Sequence, residues 1–307
     1  MTRRTIGFAG AVLTLALAAA AQTPATRSRT LEGPSDLRGI WYFGNATPLE
    51  RPREFEGKAF LTAEEAADFE RRTAERIGRT QAVHAPGWLD YGTKVGADLR
   101  SSLIIDPPDG RVPALTPEGR RSAARRAEER QGASEGPEDF SPQERCLVFG
   151  AGPPLIPGPY NNNLQIVQTP GAVVLLSEMI HDARIVPLDG RPPPPPHMRS
   201  WLGSSRGRWD RDTLVVESTN FTDQTSFRGS DQHLRVVERF TREGPDALHY
   251  EYTIDNPTAF TRPWTAAFTM TRTAERMHEF ACHEGNYGMA NILRAARFGE
   301  RELTRPR

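Results

Sequence analysis

The sequence predicts a mainly β protein, an antiparallel barrel or sandwich with an N-terminal helical and irregular segment and a C-terminal helix. Three observations carry that expectation. From residue 163 onward, apolar and β-branched runs of strand length recur between turn residues, with no helical pattern among them until the last stretch. Before residue 163 only two stretches have helical spacing, and the rest is rich in Pro, Gly and charge. The final periodic stretch, "YGMANILRAARFG", sets Met289, Ile292, Leu293 and Ala296 at helical intervals.

Taken in order, Arg3 and Arg4 precede the apolar run from Ile6 to Ala21. A charged region, a short apolar region and small residues at the end are the parts of a secretory signal peptide, assigned to residues 1–21. The run is too short and alanine-rich to be read as a membrane span. A periplasmic or secreted protein without an integral span after signal removal is expected, and the paired arginines also permit export in the folded state. Residues 22–162 form the N-terminal strand, helices and irregular wrap, and residues 163–307 the antiparallel region with its closing helix; the two are expected to share one domain.

"DLRGIWYFG" at 36–44 reads as a strand, and "LTAEEAADFERRTAERIG" at 61–78 as a helix. Thr62 stands three residues before Glu65, the spacing of a capping box. "SSLIIDPPDGR" at 101–111 is a short strand entering a turn, and Thr116 with Pro117 supplies the N-cap and first position of a second, arginine-rich helix. Further strands are read in "NLQIVQTPGAVVLLSEMIHDARIVPL", "RWDRDTLVVEST", "LRVVERFTREGPDALHYEYTID", "PWTAAFTMTR" and "MHEFACHE". The five prolines from Pro192 to Pro196 cannot enter a ladder and form a stiff rod of about 15 Å. A strut between two strands fits them better than a recognition segment, because proline loses little backbone freedom on folding.

Lys and Arg number 39, as do Asp and Glu, so the exported chain is slightly negative and no global charge favours nucleic acid. The arginine-rich run at 120–130 is interspersed with glutamate and alanine, as on a solvated helix face. Cys146 and Cys282, the only cysteines, fit a disulfide in an oxidising compartment; two buried free thiols are the other reading.

Strand alternation supplies the candidate chemistry. In "HLRVVERF", Leu234, Val236, Glu238 and Phe240 share a face, so an apolar interior draws Glu238 inward. The same counting sets Glu178 beside Val174, Leu176 and Ile180. Two inward carboxylates facing one hollow would serve as general acid and base; the competing reading pairs each with an arginine. His181 ends an apolar run where a strand meets the hollow, and joins them as a proton-transfer candidate. Asp182, Arg184, Tyr252, His283 and Asn286 are the substrate-binding candidates, with Arg184 holding an anionic portion and Asn286 equally fit to cap the last helix. "GSSRG" matches the nucleophile-elbow pattern at Ser205, but a strand rather than a helix follows, so Ser205 reads as a turn residue. No metal-ligand spacing and no phosphate loop occur, so neither metal nor cofactor is expected.

The segments "PLERP", "LIIDPPDGR", "YNNNLQIVQTPG", "EMIHDARIVPLDGRP", "GRWDRDTLVVESTNF", "RPWTA" and "CHEGNYGMANIL" resemble a family of secreted bacterial proteins of uncharacterised activity, over most of residues 36–298. That resemblance implies export and brings no catalytic residues. Gly39, Ile40 and Trp41 form a G-x-W similar to the opening of lipocalins, which implies a barrel around a small apolar ligand. The long segment before residue 163 departs from that pattern. Two functions follow: a secreted acid/base enzyme of lyase, isomerase or hydrolase type acting on a small organic molecule, or a lipocalin-like binding protein.

Overall fold

The computed structural model describes residues 35–81, 90, 92–129, 135–148, 152–224 and 227–303; the signal segment lies outside them. The strands are β1 (Gly39–Tyr42), β2 (Ile104–Asp106), β3 (Asn163–Gln168), β4 (Ala172–Ser177), β5 (Ala183–Pro187), β6 (Ser204–Asp210), β7 (Thr213–Thr219), β8 (Arg235–Arg242), β9 (Ala247–Asp255) and β10 (Trp264–Thr273). All belong to one antiparallel sheet, ordered β5-β4-β3-β1-β10-β9-β8-β7-β6, with β2 also paired to β10. β10 can serve three neighbours because β9 takes one edge, while β2 meets the start of the other edge at Thr265 and Ala266 and β1 its end at Thr271–Thr273.

The sheet curls without closing into a barrel. Its edge strands, β5 and β6, are consecutive in the chain and lie near each other, but no ladder joins them among the described residues. Gly207 of β6 packs so closely on β5 that an added Cβ would fall 2.7 Å from the side chains of Val186 and Leu188. The proline run spans these two edges, and the Asn220 amide donates to the carbonyl oxygens of Pro194, Pro195 and Met198, lashing it to the end of β7. Buried side chains from the other nine strands, with the half-buried Trp209 of β6 packed against them, enter a single core with Leu37, Phe43, Leu103 and Leu155 of the preceding segment. Removing so much apolar surface from water, at about 25 cal/mol per Å², is the main force holding the curl.

Two helices form where capping predicts them. In α1 (Ala63–Gln81) the Glu65 N–H donates to Thr62 Oγ1 and the Thr62 N–H to Glu65 Oε2, at 3.2 and 2.8 Å, a complete capping box. In α2 (Pro117–Glu129) Thr116 Oγ1 accepts from the Gly119 N–H at 2.9 Å. The C-terminal region departs from expectation. "MHEFACHE" contains no strand; it leads into a single turn of helix, α3 (Cys282–Gly285), followed by α4 (Tyr287–Leu303). α4 does not close the sheet: Ile292 of its apolar stripe is exposed, Met289, Leu293 and Ala296 are only half-buried, and it makes no extensive contact with any strand. A stripe of one isoleucine, one leucine, one methionine and alanine buries little area, too little to compete with the strands' own packing.

Candidate functional site

Residues 178–182 link β4 to β5. The Ser177 N–H donates to the Asp182 carbonyl at 2.9 Å and closes a turn whose middle, Ile180 and His181, takes positive φ values of 61° and 47°. Left-handed geometry is costly for a β-branched residue. Burial of Met179 and Ile180 holds the turn in place.

Glu178 and Glu238 are both buried, in different settings. β4 stops at Ser177, and its inward residues are Val173, Leu175 and Ser177; Val174 and Leu176 face the other way. The inferred company of Glu178 is therefore corrected by one position, and its carboxylate lies in the turn beyond the strand. Its Oε2 accepts from the Asn163 amide at 2.8 Å and its Oε1 from the His278 N–H at 2.7 Å. His181 is exposed, and its Nδ1 lies 2.9 Å from the Phe280 carbonyl oxygen, where it donates. Both residues thus fasten segment 278–280 to the turn.

Glu238 does sit on the inward face of β8, fully buried. Arg184 of β5 crosses the interior to meet it bidentately, Nη1 to Oε2 at 2.6 Å and Nη2 to Oε1 at 2.9 Å. The Tyr250 hydroxyl donates to Oε1 at 2.8 Å and accepts from the Leu155 N–H at 2.9 Å. Burial works against the Arg184 charge, but the adjacent Glu238 outweighs it and raises the arginine pKa. Burial first, and the Glu238 charge second, push the Tyr250 hydroxyl well up. This carboxylate is committed to an ion pair rather than presented to a substrate.

Among the described residues, Ser177 Oγ, Asp182 Oδ2 and the Nε of Arg184 itself are buried without hydrogen-bond partners. Burial pushes the Asp182 carboxyl up to about 6, against the opposing charges of His181 and Arg184. Tyr252 Oη and Trp264 Nε1, on β9 and β10, are likewise buried and unpartnered.

Two clefts flank this end of the sheet. One, of about 880 Å³, is walled by Phe43, Phe140, Tyr160, Trp201, Phe221 and Phe227 with several prolines of the 153–159 segment. Three arginines, Arg125, Arg126 and Arg145, stand at it opposite Glu138, Asp139 and Asp223, so opposite charges balance around an aromatic wall. Arg145 stacks over Trp201 with its guanidinium carbon 5.8 Å from the ring centre. The second cleft, of about 1050 Å³, has Glu178, Arg272, Glu275, His278 and Glu279 on its walls. Glu238 lines neither cleft, and both its oxygens are taken up by Arg184 and Tyr250.

The remaining candidates are dispersed. Cys146 and Cys282 are joined in a disulfide with their Cα atoms 5.8 Å apart. Asn286 caps α4, accepting from the Met289 N–H at 3.2 Å while its amide donates to the Glu144 carbonyl at 2.8 Å; His283 is exposed on α3. Ser205 lies within β6, not in a turn, and exchanges a 2.8 Å hydrogen bond with Ser218 Oγ across the ladder. No cluster of three metal-ligating side chains occurs among the described residues. Sequence reasoning missed Trp201, Phe227 and Trp264, which stand far apart in the chain and share no spacing that would have marked them.

No protein-family model matches the chain, and neither does any curated protein or solved structure.

Proposed function

We propose that this is an exported binding protein for a small, neutral, largely apolar molecule, held at the end of an open, lipocalin-like barrel. The aromatic cleft of about 880 Å³ carries this reading. Its size and lining are those of small-molecule sites, which are mainly apolar with a few polar groups to orient the ligand. Balanced charge at the rim favours an uncharged occupant. Export accords with the disulfide, and no helix of the described residues is long and apolar enough to cross a membrane. The test is calorimetric and fluorescence titration with the hydrophobic probe 1-anilinonaphthalene-8-sulfonate and with uncharged aromatic compounds, in wild type and Trp201→Ala. Saturable binding weakened by about tenfold or more in the variant, the scale of an aromatic anchor in a pocket, supports the reading; binding that ignores Trp201 refutes it.

A second reading, an acid/base enzyme, is favoured by Asp182 alone. A carboxyl brought near 6, with one oxygen unpartnered, is suited to take and return a proton near neutral pH. Turnover that disappears in Asp182→Asn while ligand affinity persists would move the assignment to this class.

A further inference from the structure

We propose that the aromatic cleft continues inward behind Phe227 to a subsite in which Tyr252 Oη and Trp264 Nε1 donate jointly to one carbonyl oxygen of the ligand. The inference rests on the binding reading above and names the chemistry the ligand carries.

Both side chains are fully buried. In the β9–β10 register Tyr252 opposes Ala266 and Trp264 opposes Ile254, so the two are diagonal neighbours on the inward face, their ring centres 6.0 Å apart. Neither Tyr252 Oη nor Trp264 Nε1 has a hydrogen-bond partner among the described residues. Comparable donors elsewhere in this core are satisfied by protein: Trp41 Nε1 donates to the Leu37 carbonyl at 2.8 Å, and Tyr250 Oη to Glu238. Buried donors are nearly always paired, and two unpaired donors on neighbouring side chains mark a place where an acceptor belongs. An indole N–H can only donate, and a carbonyl oxygen has two lone pairs, enough to receive both groups.

Phe227 connects these donors to the cleft. It lines the cleft and also stacks on Trp264 at 5.9 Å with 26° between the ring planes, so the ring that walls the one covers the other. It is only half-buried and is followed by two residues at positive φ, Arg228 at 54° and Gly229 at 93°, outside any strand. Turning this side chain therefore disturbs no ladder. Burial raises the pKa of the Tyr252 hydroxyl and the charge of Arg228 pulls against it, which keeps the hydroxyl protonated as a donor.

Benzophenone and diphenylmethane, alike in shape and differing in the carbonyl, provide the test by titration calorimetry. Wild type is expected to bind benzophenone about tenfold tighter, the usual value of one or two well-made hydrogen bonds in a dry site. Tyr252→Phe removes only an unpartnered oxygen, so its fold and its affinity for diphenylmethane should persist while the preference for benzophenone falls to about twofold or less. Trp264→Phe should reduce the same preference, and Phe227→Ala should speed association of both probes. A benzophenone preference unchanged in Tyr252→Phe, or equal affinity of the two probes in wild type, overturns the subsite and leaves the cleft reading intact. Failure of wild type to bind either probe overturns both.

Discussion

The inward face of the sheet and the cap made by residues 135–148, α3 and α4 are held by different forces. On the sheet, side chains such as Trp41, Val236, Phe240 and Met270 are entirely removed from water, and the buried Arg184–Glu238 pair is matched on both carboxylate oxygens. In the cap, Tyr287 and Phe298 are 74 % and 66 % exposed, and order comes from point attachments: the Cys146–Cys282 bridge, the Asn286 amide on the Glu144 carbonyl, and the Arg297 guanidinium on the Glu135 carbonyl. A sheet held by area tolerates the loss of surface contacts, whereas a cap held by points depends on each one. The aromatic cleft lies where the two regimes meet, with walls from both.

The largest expected effect tests the matched pair. Glu238→Ala leaves the Arg184 charge buried and alone, and should cost about 3–5 kcal/mol in urea unfolding. The double variant Arg184→Met, Glu238→Leu should recover most of that loss, because an apolar pair needs no desolvation; failure to recover would mean that the pair positions Tyr250 and Leu155 as well. Next comes the cap. Cys146→Ser with Cys282→Ser should lower stability by about 2–4 kcal/mol, and hydrogen exchange should accelerate first in residues 282–303. Exchange that rises equally in β8 and β9 would erase the contrast between the regions.

A smaller effect concerns pH. Asp182 stands at about 6 against 3.8 for an ordinary aspartate, so the folded chain binds more protons than the unfolded one between those values. Stability therefore falls as pH rises through that window and stays level above it. Asp182→Asn should stabilise by about 1–2 kcal/mol at pH 8, allowing for solvent screening, and by nothing below about pH 4. Thermal melts across pH check both the size and the window. The smallest effect is Phe298→Ser, which removes a ring already in water and should change stability by less than about 0.5 kcal/mol; a larger loss would show that α4 is covered in solution.

Much of the architecture was legible in local chemistry. Thr62 with Glu65 and Thr116 with Pro117 announce α1 and α2, since a cap acts over three residues. The alternation in β8 placed Glu238 inward, because apolar neighbours on both sides leave only one register. The same alternation failed at Glu178, where the strand ends one residue earlier and the chain enters a left-handed turn. "MHEFACHE" failed as a strand for a different reason: β10, the strand it follows, already has both flanks occupied, by β9 on one side and by β2 and β1 on the other. The aromatic cleft was illegible because its walls come from residues 43, 140, 160, 201, 221 and 227, which no periodicity links.

By itself the sequence determined the mainly β class, the inward face of β8, the starts of α1 and α2 and the availability of two cysteines for a bridge, all consequences of interactions between near neighbours in the chain. Only the tertiary structure decided that Arg184 neutralises Glu238 from 54 residues away, that Tyr252 Oη and Trp264 Nε1 find no hydrogen-bond partner among the described residues, and that the clefts open beside the turn at 178–182. Pairing, desolvation and enclosure depend on which distant surfaces the curl of the sheet brings together, and that is set by the packing of the whole core.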